Sequence, residues 1–363
     1  MDSDQVLAFR LDRSGLARRT ASDLAGAARC PASDFARDAA LLALAARVED
    51  ITRDGYDDAV DGGALALGHA VRCALHAHHP DDAALYGPAL VSTVDDELAA
   101  EMGGAVPGLL ERAGIAATDA LAEVTAAIAD ALAGGMALSK DQLHDAMRER
   151  VQAALLPWCP SCKSHHVAGN LWRCAARRAG TRLDADRRYL LADQGPVPAE
   201  GEAVRRFLHF YGPGTPGDFA PWAGLTGRHA GRAWSEVAEE LVEVRAGGAK
   251  AWLLARDESA LASPPGAAGV RLLPPGDPYL QKPNRALLAP DDSLRRDLFR
   301  AVGSPGVVLR DGRLAGSWKA KLTRGTLELH VRKLGRLARA GVVEEAERLA
   351  ALRGATGVAL VLE

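Results

Sequence analysis

Apolar residues at helical spacing dominate the first third of the chain. The segment that starts at Ser3 carries its apolar side chains on one face as far as Leu11, and residues 39–48 form a second apolar segment. A short helix is predicted after Thr52. Residues 64–78 lack helix caps, and the resulting order of helix, helix and strand is typical of a winged helix.

Two further groups of helices follow. An Ala-rich helix is predicted from about 117 to 133, and Ser139–Gln142 forms a capping box that opens a helix to about residue 155. In the third group Thr215 is a natural N-cap and Pro216 a natural first helical residue, with an end near Gly224. The three groups are too divergent to establish a repeat from the sequence.

Short strands replace this helical pattern after about residue 237. Leu241–Val244 and Lys250–Ala255 are separated by a glycine turn. Val307–Arg310 and Arg313–Gly316 flank Asp311-Gly312, the strongest short hairpin signal. The predicted fold class is therefore α+β, with tandem winged-helix motifs and a C-terminal β-rich part.

Three domains are predicted from these changes of pattern, and a chain of 363 residues with 48% hydrophobic content can bury their cores. Residues 1–105 form a first winged helix, 106–236 a second and third, and 237–363 the β-rich part. No apolar run approaches the roughly 18 residues that span a bilayer, and the acidic N-terminus does not resemble a secretory signal. We expect a cytoplasmic protein without a membrane anchor.

Positive charge is concentrated near the C-terminus. The net charge of −3 argues against indiscriminate coating of nucleic acid, but residues 301–340 hold nine Lys or Arg and two acidic residues. In a strand, Lys319 and Lys321 share one face, with Arg324 at the turn and Arg332 on the returning strand. Such a ribbon can contact DNA phosphates; the alternative is a solvated sheet face.

Three of the five cysteines lie close together in the sequence. Cys159, Cys162, His166 and Cys174 would complete a tetrahedral zinc site. The spacing after Cys162 is not that of a standard zinc finger, so the alternative is incidental thiols, with Cys174 buried in a helix.

Short phrases along almost the whole chain match one known family in the same order. They are Arg72–His76 and Pro80–Asp82; Arg206–Leu208, Tyr211–Pro213, Thr215–Pro216, Asp218–Phe219, Trp222 and Gly224–Leu225; and Leu272–Pro274, Asp277–Tyr279, Asp311–Gly312 and Gly316–Trp318. On these phrases the chain resembles the AlkZ-like winged-helix DNA-binding proteins, some of which are DNA glycosylases that remove alkylated bases and unhook crosslinks. The resemblance implies tandem winged helices around a concave face that binds double-stranded DNA, and no required cofactor.

The catalytic loop departs from the family pattern. In the glycosylases a Gln-x-Gln or Gln-x-Asp motif precedes the apolar helix that begins here near Ala39. Without gaps the two positions fall on Ser33 and Phe35, and a slip of one residue places Asp34 at the second. Asp34 could stabilise an oxocarbenium-like sugar and position water, with Ser33 as a helper. The alternative is that Ser33 or Asp34 caps the next helix.

Arg72 and His76 are the candidate lesion contacts. If both lie on one strand, their side chains share a face. The resemblance brings that face close to the lesion, where Arg72 would meet a phosphate and His76 a sugar or flipped base. The alternative is an internal ion pair for Arg72 and a buried, satisfied histidine.

Two functions follow, and a third is weaker. The first is a DNA glycosylase, a hydrolase of DNA repair. The second is a non-catalytic DNA-binding protein, a regulator or lesion sensor whose catalytic loop has decayed. The third is a thiol or zinc activity at residues 159–174, for which the sequence supplies no complete pair of nucleophile and base.

Overall fold

The fold combines helices and sheets, as a computed structural model describing residues 1–21 and 23–363 shows. Helix accounts for 47% and strand for 20%, so the predicted α+β class is confirmed. In these ranges no helix is both long enough and apolar enough to cross a membrane.

The helices and strands alternate in short segments. The helices are α1 (Ser3–Arg13), α2 (Leu24–Ala27), α3 (Ala39–Ala45), α4 (Arg53–Asp61), α5 (Ala83–Tyr86), α6 (Asp95–Met102), α7 (Val106–Ala113), α8 (Ala117–Ala131), α9 (Lys140–Met147), α10 (Gly169–Arg178), α11 (Gly201–Tyr211), α12 (Pro216–Ala223), α13 (Gly227–Ser235), α14 (Glu258–Ala262), α15 (Lys282–Leu288), α16 (Asp292–Leu298) and α17 (Arg339–Leu352). The strands are β1 (Thr20–Ala21), β2 (Ala32–Ser33), β3 (Val48–Glu49), β4 (Ala66–His69), β5 (Leu75–His78), β6 (Trp158–Cys159), β7 (Ser164–His165), β8 (Thr181–Leu183), β9 (Tyr189–Leu191), β10 (Leu241–Ala246), β11 (Ala249–Leu254), β12 (Val270–Leu273), β13 (Gly306–Arg310), β14 (Arg313–Thr323), β15 (Thr326–Lys333) and β16 (Gly357–Leu362).

The chain divides into two compact units that are discontinuous in sequence. The terminal unit comprises Met1–Tyr56, Arg206–Thr215 and Glu239–Glu363. The central unit comprises Asp57–Arg205 and Pro216–Ala238. The division into three domains, the first two of which contain winged-helix motifs, stays a prediction.

A five-stranded sheet in the order β12-β13-β14-β15-β16 organises the terminal unit. Its neighbouring strands are antiparallel except β15 and β16, which are parallel. Helix α17 contacts β12, β15 and β16, and buries Val342, Ala346 and Leu349. A separate hairpin of β10 and β11 packs Leu253 against Phe9 of α1. Apolar burial on these two faces supplies the core of the unit.

Helix α8 lies at the centre of the central unit. It contacts α6, α7, α9 and α10, and its buried face includes Leu121, Val124 and Ile128 at helical spacing. Four strands of this unit lie side by side in the order β5-β4-β8-β9. Leu138, which precedes α9, forms a bridge to Tyr189 of β9.

Local sequence signals locate some element ends and miss others. The capping box at Ser139 and Gln142 is present. Asp2, rather than Ser3, caps α1, because its side chain accepts the Gln5 amide. Helix α9 ends at Met147, well before residue 155, and the Gln152 backbone N–H donates to the Glu123 carboxylate of α8.

A buried ion pair joins distant segments of the terminal unit. Arg47 donates from Nη1 and Nη2 to the two carboxylate oxygens of Asp277, each at 2.8 Å, and both side chains are at most 1% exposed. Arg47 also donates to the carbonyls of Ser14 and Ala43. Asp277 accepts the Tyr279 amide at 2.8 Å. All of these groups satisfy one another, as a buried charge requires.

Replacing Asp277 with Ala should destabilise the protein strongly, because it leaves the Arg47 guanidinium buried without its counter-charge. We expect a loss of about 3–5 kcal/mol in the free energy of unfolding, measured by urea denaturation. The control is Asp4→Ala, which removes an exposed pair with Arg313 and should cost under about 1 kcal/mol. Equal losses in the two variants would contradict a structural role for the buried pair.

A second buried charge cluster lies in the central unit, around His229. Its Nδ1 is 2.8 Å from Glu101 and its Nε2 is 3.1 Å from Glu200, and the ring is fully buried. Burial alone would lower the pKa of His229, but the hydrogen bonds to Glu101 and Glu200 outweigh it and raise the pKa to about 9. The imidazolium is therefore the stable form in the folded protein at neutral pH.

This raised pKa predicts a pH-dependent stability. The contribution of His229 is fully present below its unfolded pKa of about 6.5 and is lost as pH rises through its folded pKa of about 9. Between pH 6 and pH 10, wild-type protein should lose about 3 kcal/mol more unfolding free energy than His229→Gln. Urea denaturation across this range measures both, and parallel curves would show that His229 carries no such linkage.

Candidate functional site

The candidate catalytic loop runs from β2 to α3 in the terminal unit. Ser33 is half-buried at the end of β2, and Asp34 is only 3% exposed. Asp34 Oδ1 accepts the backbone N–H of Ala40 at 2.9 Å, in the first turn of α3. Asp38, at the N-cap position, has φ 72° and makes no capping bond with its own side chain. Asp34 therefore caps α3 in its place, and a catalytic role for Asp34 and Ser33 stays a prediction.

Phe35 follows in the same loop and is 63% exposed. Its ring lies against Gly276, where an added Cβ would stand 2.6 Å from a ring carbon. Gly276 also has φ +79°, so both the close approach and the backbone conformation require glycine there. The loop thus keeps an exposed aromatic ring supported from one side.

Beneath this loop the side chains are packed and hydrogen-bonded. Tyr211 donates its hydroxyl to the Pro278 carbonyl at 2.9 Å, and its oxygen is 3.9 Å from the Cys30 sulfur. Burial raises the pKa of the Cys30 thiol to about 12, despite the nearby charge of Arg47. Cys30 is consequently a protonated core residue and no nucleophile.

Arg72 lies in a tight turn of the central unit, and the expectation that it shares a strand face with His76 is wrong. The 3₁₀ turn Val71–Cys73 precedes β5, and Arg72 has φ 57°. Its Nη1 donates to the Trp222 carbonyl at 2.8 Å, and Gly224 approaches so closely that an added Cβ would lie 3.0 Å from the Arg72 Cα. Arg72 is exposed as a residue, while one of its guanidinium nitrogens is used by this internal hydrogen bond.

His76 occupies β5 itself and is 3% exposed. Its Nδ1–H donates to the Ala74 carbonyl at 2.9 Å. Burial, followed by the charge of Arg72, lowers the pKa of His76 to about 3. His76 is therefore neutral at physiological pH, and its contact with DNA stays a prediction.

A cavity of about 250 Å³ adjoins Arg72 in the central unit, and sequence reasoning missed most of its lining. Cys73 and Cys174 meet there with their sulfur atoms 2.6 Å apart, and Arg177 donates to Cys73 at 3.6 Å. The hydrogen bond from Cys174, aided by Arg177, lowers the pKa of Cys73 to about 6. Glu101 also lines the cavity. Cys73 stands inside the Arg72–His76 phrase, but no local signal points to Glu101 or Arg177.

The four predicted zinc ligands separate into two places. Ligand atoms of Cys159, Cys162 and His166 lie within 4.8 Å of one another. Cys174 contacts Cys73 instead. A bound zinc ion stays a prediction.

The basic hairpin is formed by β14 and β15 in the terminal unit. Arg324 and Gly325 occupy its turn with φ 49° and 79°. Lys319 pairs with His330 and Lys321 with Glu328 across the strands, so all four share one face. Trp318, on the opposite face, is buried and donates to the Leu273 carbonyl.

The cationic side chains of this hairpin differ in whether an internal carboxylate pairs with them. Lys319, Lys321, Arg324 and Arg332 are exposed. Arg332 forms an ion pair with Asp297 at 2.6 Å. Within residues 1–21 and 23–363, Lys319 and Lys321 have no carboxylate within ion-pair distance. Their ammonium groups are open to an external anion, although phosphate contact itself stays a prediction.

Comparison with known proteins agrees with this architecture. Residues 30–352 match the family described as DNA glycosylase AlkZ-like. A protein of Streptomyces sahachiroi named interstrand DNA cross-link repair glycosylase is 30% identical over 342 residues, with 87% of each chain covered. The structure of Streptomyces sahachiroi DNA glycosylase AlkZ superposes with a TM-score of 0.77 at 24% identity, with 100% of both chains covered. The chain belongs to the AlkZ-like DNA glycosylase family.

Proposed function

We propose that the protein binds double-stranded DNA carrying alkylated bases and hydrolyses the N-glycosidic bond of the damaged nucleotide. The observation that carries this proposal is the family match over residues 30–352, which includes both the Ser33–Asp34 loop and the basic hairpin. The name of the Streptomyces sahachiroi relative supports crosslinked DNA as one substrate.

Excision of an alkylated base requires few catalytic groups from the protein. A base alkylated at a ring nitrogen is cationic and leaves readily, so catalysis needs a negative group near the oxocarbenium-like sugar and a positioned water. Asp34 supplies a carboxylate, and the Ala40 amide holds one of its oxygens. The N-terminus of α3 favours negative charge at this position. A capping bond and a catalytic role are thus compatible, with Ser33 as a helper and no cofactor required for the hydrolysis.

The order of elements supports tandem winged helices. One set runs α8, Leu138, α9, α10, β8 and β9, in which Leu138 bridges to β9. Another runs α11, Gly214, α12, α13, β10 and β11, in which Gly214 bridges to Trp252 of β11. Helix, strand, two helices and a two-stranded wing is the order expected of a winged helix.

The exposed cations are the proposed DNA contacts. Lys319, Lys321, Arg324 and Arg332 would meet backbone phosphates, and Arg72 a phosphate beside the lesion. His76 is buried close to Arg72, so it can contact DNA only after a local opening of the structure. We therefore propose His76 as a weaker DNA contact than Arg72. These contacts position the duplex and carry no sequence preference.

A non-catalytic lesion-binding protein is the second candidate. The observation that favours it is that neither family glutamine is present, while Asp34 is buried and caps α3. Such a protein would bind alkylated duplex DNA and leave the base attached.

Asp34→Asn should separate the two functions. The amide still accepts the Ala40 N–H but cannot offset the sugar's positive charge, so release of N7-methylguanine or N3-methyladenine from a duplex should fall about 10²–10³-fold. Free base and abasic sites are scored under single-turnover conditions, alongside duplex affinity, which should not change.

Asp38→Asn is the matched control in the same loop, because Asp38 pairs with Arg53 and is assigned no part in catalysis. Its release rate should equal that of wild type. Wild-type rates in Asp34→Asn would remove Asp34 as the catalytic residue. Tight binding without release by the wild-type protein would establish the non-catalytic candidate.

Lys319→Ala combined with Lys321→Ala should weaken binding to damaged and undamaged duplexes alike. Loss of two phosphate contacts should reduce the slope of log affinity against log salt by about 2. Fluorescence anisotropy between low and moderate salt measures this slope. Lys282→Ala is the control, since Lys282 is an exposed lysine of the same unit, at the start of α15. An unchanged slope in the double variant would exclude the hairpin as a phosphate contact.

A further inference from the structure

The hairpin of β6 and β7 brings two cysteines to one tight turn. Trp158 pairs with His165 and Cys159 with Ser164, which places Cys162 in the connecting turn. Lys163 closes that turn with φ 51°. The two sulfur atoms converge, with the Ser161 hydroxyl 3.1 Å from Cys159 and 4.0 Å from Cys162. Two thiols held on a short hairpin are a typical half-site for a soft metal ion.

His166 adds a third donor that is already oriented. Its Nδ1–H donates to the Val167 carbonyl at 2.8 Å, which leaves Nε2 with an unprotonated lone pair. That Nε2 is buried and has no hydrogen-bond partner among the described residues. One ring nitrogen of His166 lies within 4.8 Å of both cysteine sulfurs. Ligand atoms around a tetrahedral zinc are about 3.3–3.8 Å apart, so a contraction of about 1 Å suffices.

His144 of α9 stands beside His166 and is the candidate fourth donor, although its ring nitrogens lie outside the group of three ligand atoms that are within 4.8 Å of one another. The two ring centres are 5.0 Å apart. Two imidazoles on one tetrahedral ion, each with a Zn–N distance of about 2.0 Å, place their ring centres about 5 Å apart. His144 Nδ1 is buried and, in the part of the chain that the structure describes, has no hydrogen-bond partner. Trp172 packs on the same ring at 4.5 Å between centres and fixes its position.

We propose that Cys159, Cys162, His166 and His144 bind one Zn²⁺ ion in a tetrahedral Cys₂His₂ site. Two buried imidazole nitrogens without partners and two adjacent thiols are explained together by one ion. Binding releases the two thiol protons and forms two Zn–S and two Zn–N bonds. Cys174, engaged with Cys73, is not a ligand.

The site is structural, because four protein ligands leave no position for water or substrate. It links α9 to the β6–β7 hairpin, a segment inserted between α9 and α10. An ion there would fasten the connection between these two helices. This inference concerns the central unit alone and does not depend on whether the protein excises bases.

Zinc content is the first test. Full-length protein purified without chelator should hold about one zinc per chain, and Cys174→Ser should hold the same amount. The double variant Cys159→Ser, Cys162→Ser should lose at least about nine-tenths of it. Wild-type protein that neither retains zinc nor takes it up when zinc chloride is added would overturn the proposal. Zinc equal to wild type in the double variant would do the same.

Cobalt on the wild-type chain gives a test that needs no variant. Apoprotein reconstituted with Co²⁺ should show the intense visible bands of tetrahedral coordination and a thiolate charge-transfer band in the near ultraviolet. Weak octahedral bands without charge transfer would overturn the assignment. The test therefore holds even if the double cysteine variant fails to fold.

His144→Ala tests the fourth ligand. Competition with a chromophoric chelator should show zinc affinity reduced by more than about 100-fold, because loss of an outer-shell partner alone typically costs about 10–100-fold. His165→Ala is the control, because His165 is exposed on the same hairpin and donates to the Leu156 carbonyl. Affinity unchanged in His144→Ala would overturn His144 as a ligand.

Discussion

The buried pair of Arg47 and Asp277 is the interaction on which the terminal unit depends. Its two charges are almost fully removed from water, which is tolerable because each guanidinium nitrogen and each carboxylate oxygen has a hydrogen-bond partner. Arg47 also binds the carbonyls of Ser14 and Ala43, and Asp277 binds the Tyr279 amide. The ion pair thereby holds together two segments that are more than 200 residues apart in the sequence. Arg47 lies just after α3 in the chain, and Asp277 follows Gly276, against which the Phe35 ring of the loop before α3 lies.

The phrases that carry the family resemblance are largely structural. Arg10 donates to the carbonyls of Gly212 and Pro213, two residues of one of these phrases. Arg72 is held by the Trp222 carbonyl in the same way. Family membership is consequently easy to recognise from sequence, because its signatures describe packing. Catalysis is harder to recognise, because it depends on a few residues of one short loop rather than on the fold.

Sequence predicted the features that depend on neighbouring residues. The Asp311-Gly312 turn and the Ser139 capping box need only local geometry, and both are present. The positive φ of Arg72 could not be predicted, since it results from contact with a segment 150 residues away. The role proposed for His144 was equally hidden, because its neighbour His166 lies beyond the end of α9 at Met147. At these positions long-range packing outweighs the local conformational preference of the sequence.

A chain with net charge −3 can bind DNA only if some of its Lys and Arg side chains are not neutralised by internal carboxylates. Most of the buried or half-buried arginines satisfy internal acceptors, as Arg47 does. On the hairpin, Arg332 is partly neutralised by Asp297. Lys319 and Lys321 stand on an exposed face and form no ion pair among the described residues, although Glu328 lies opposite Lys321 on the same face. Affinity for DNA should therefore follow these two lysines more closely than the total count of positive residues, because only unneutralised charge releases counterions on binding.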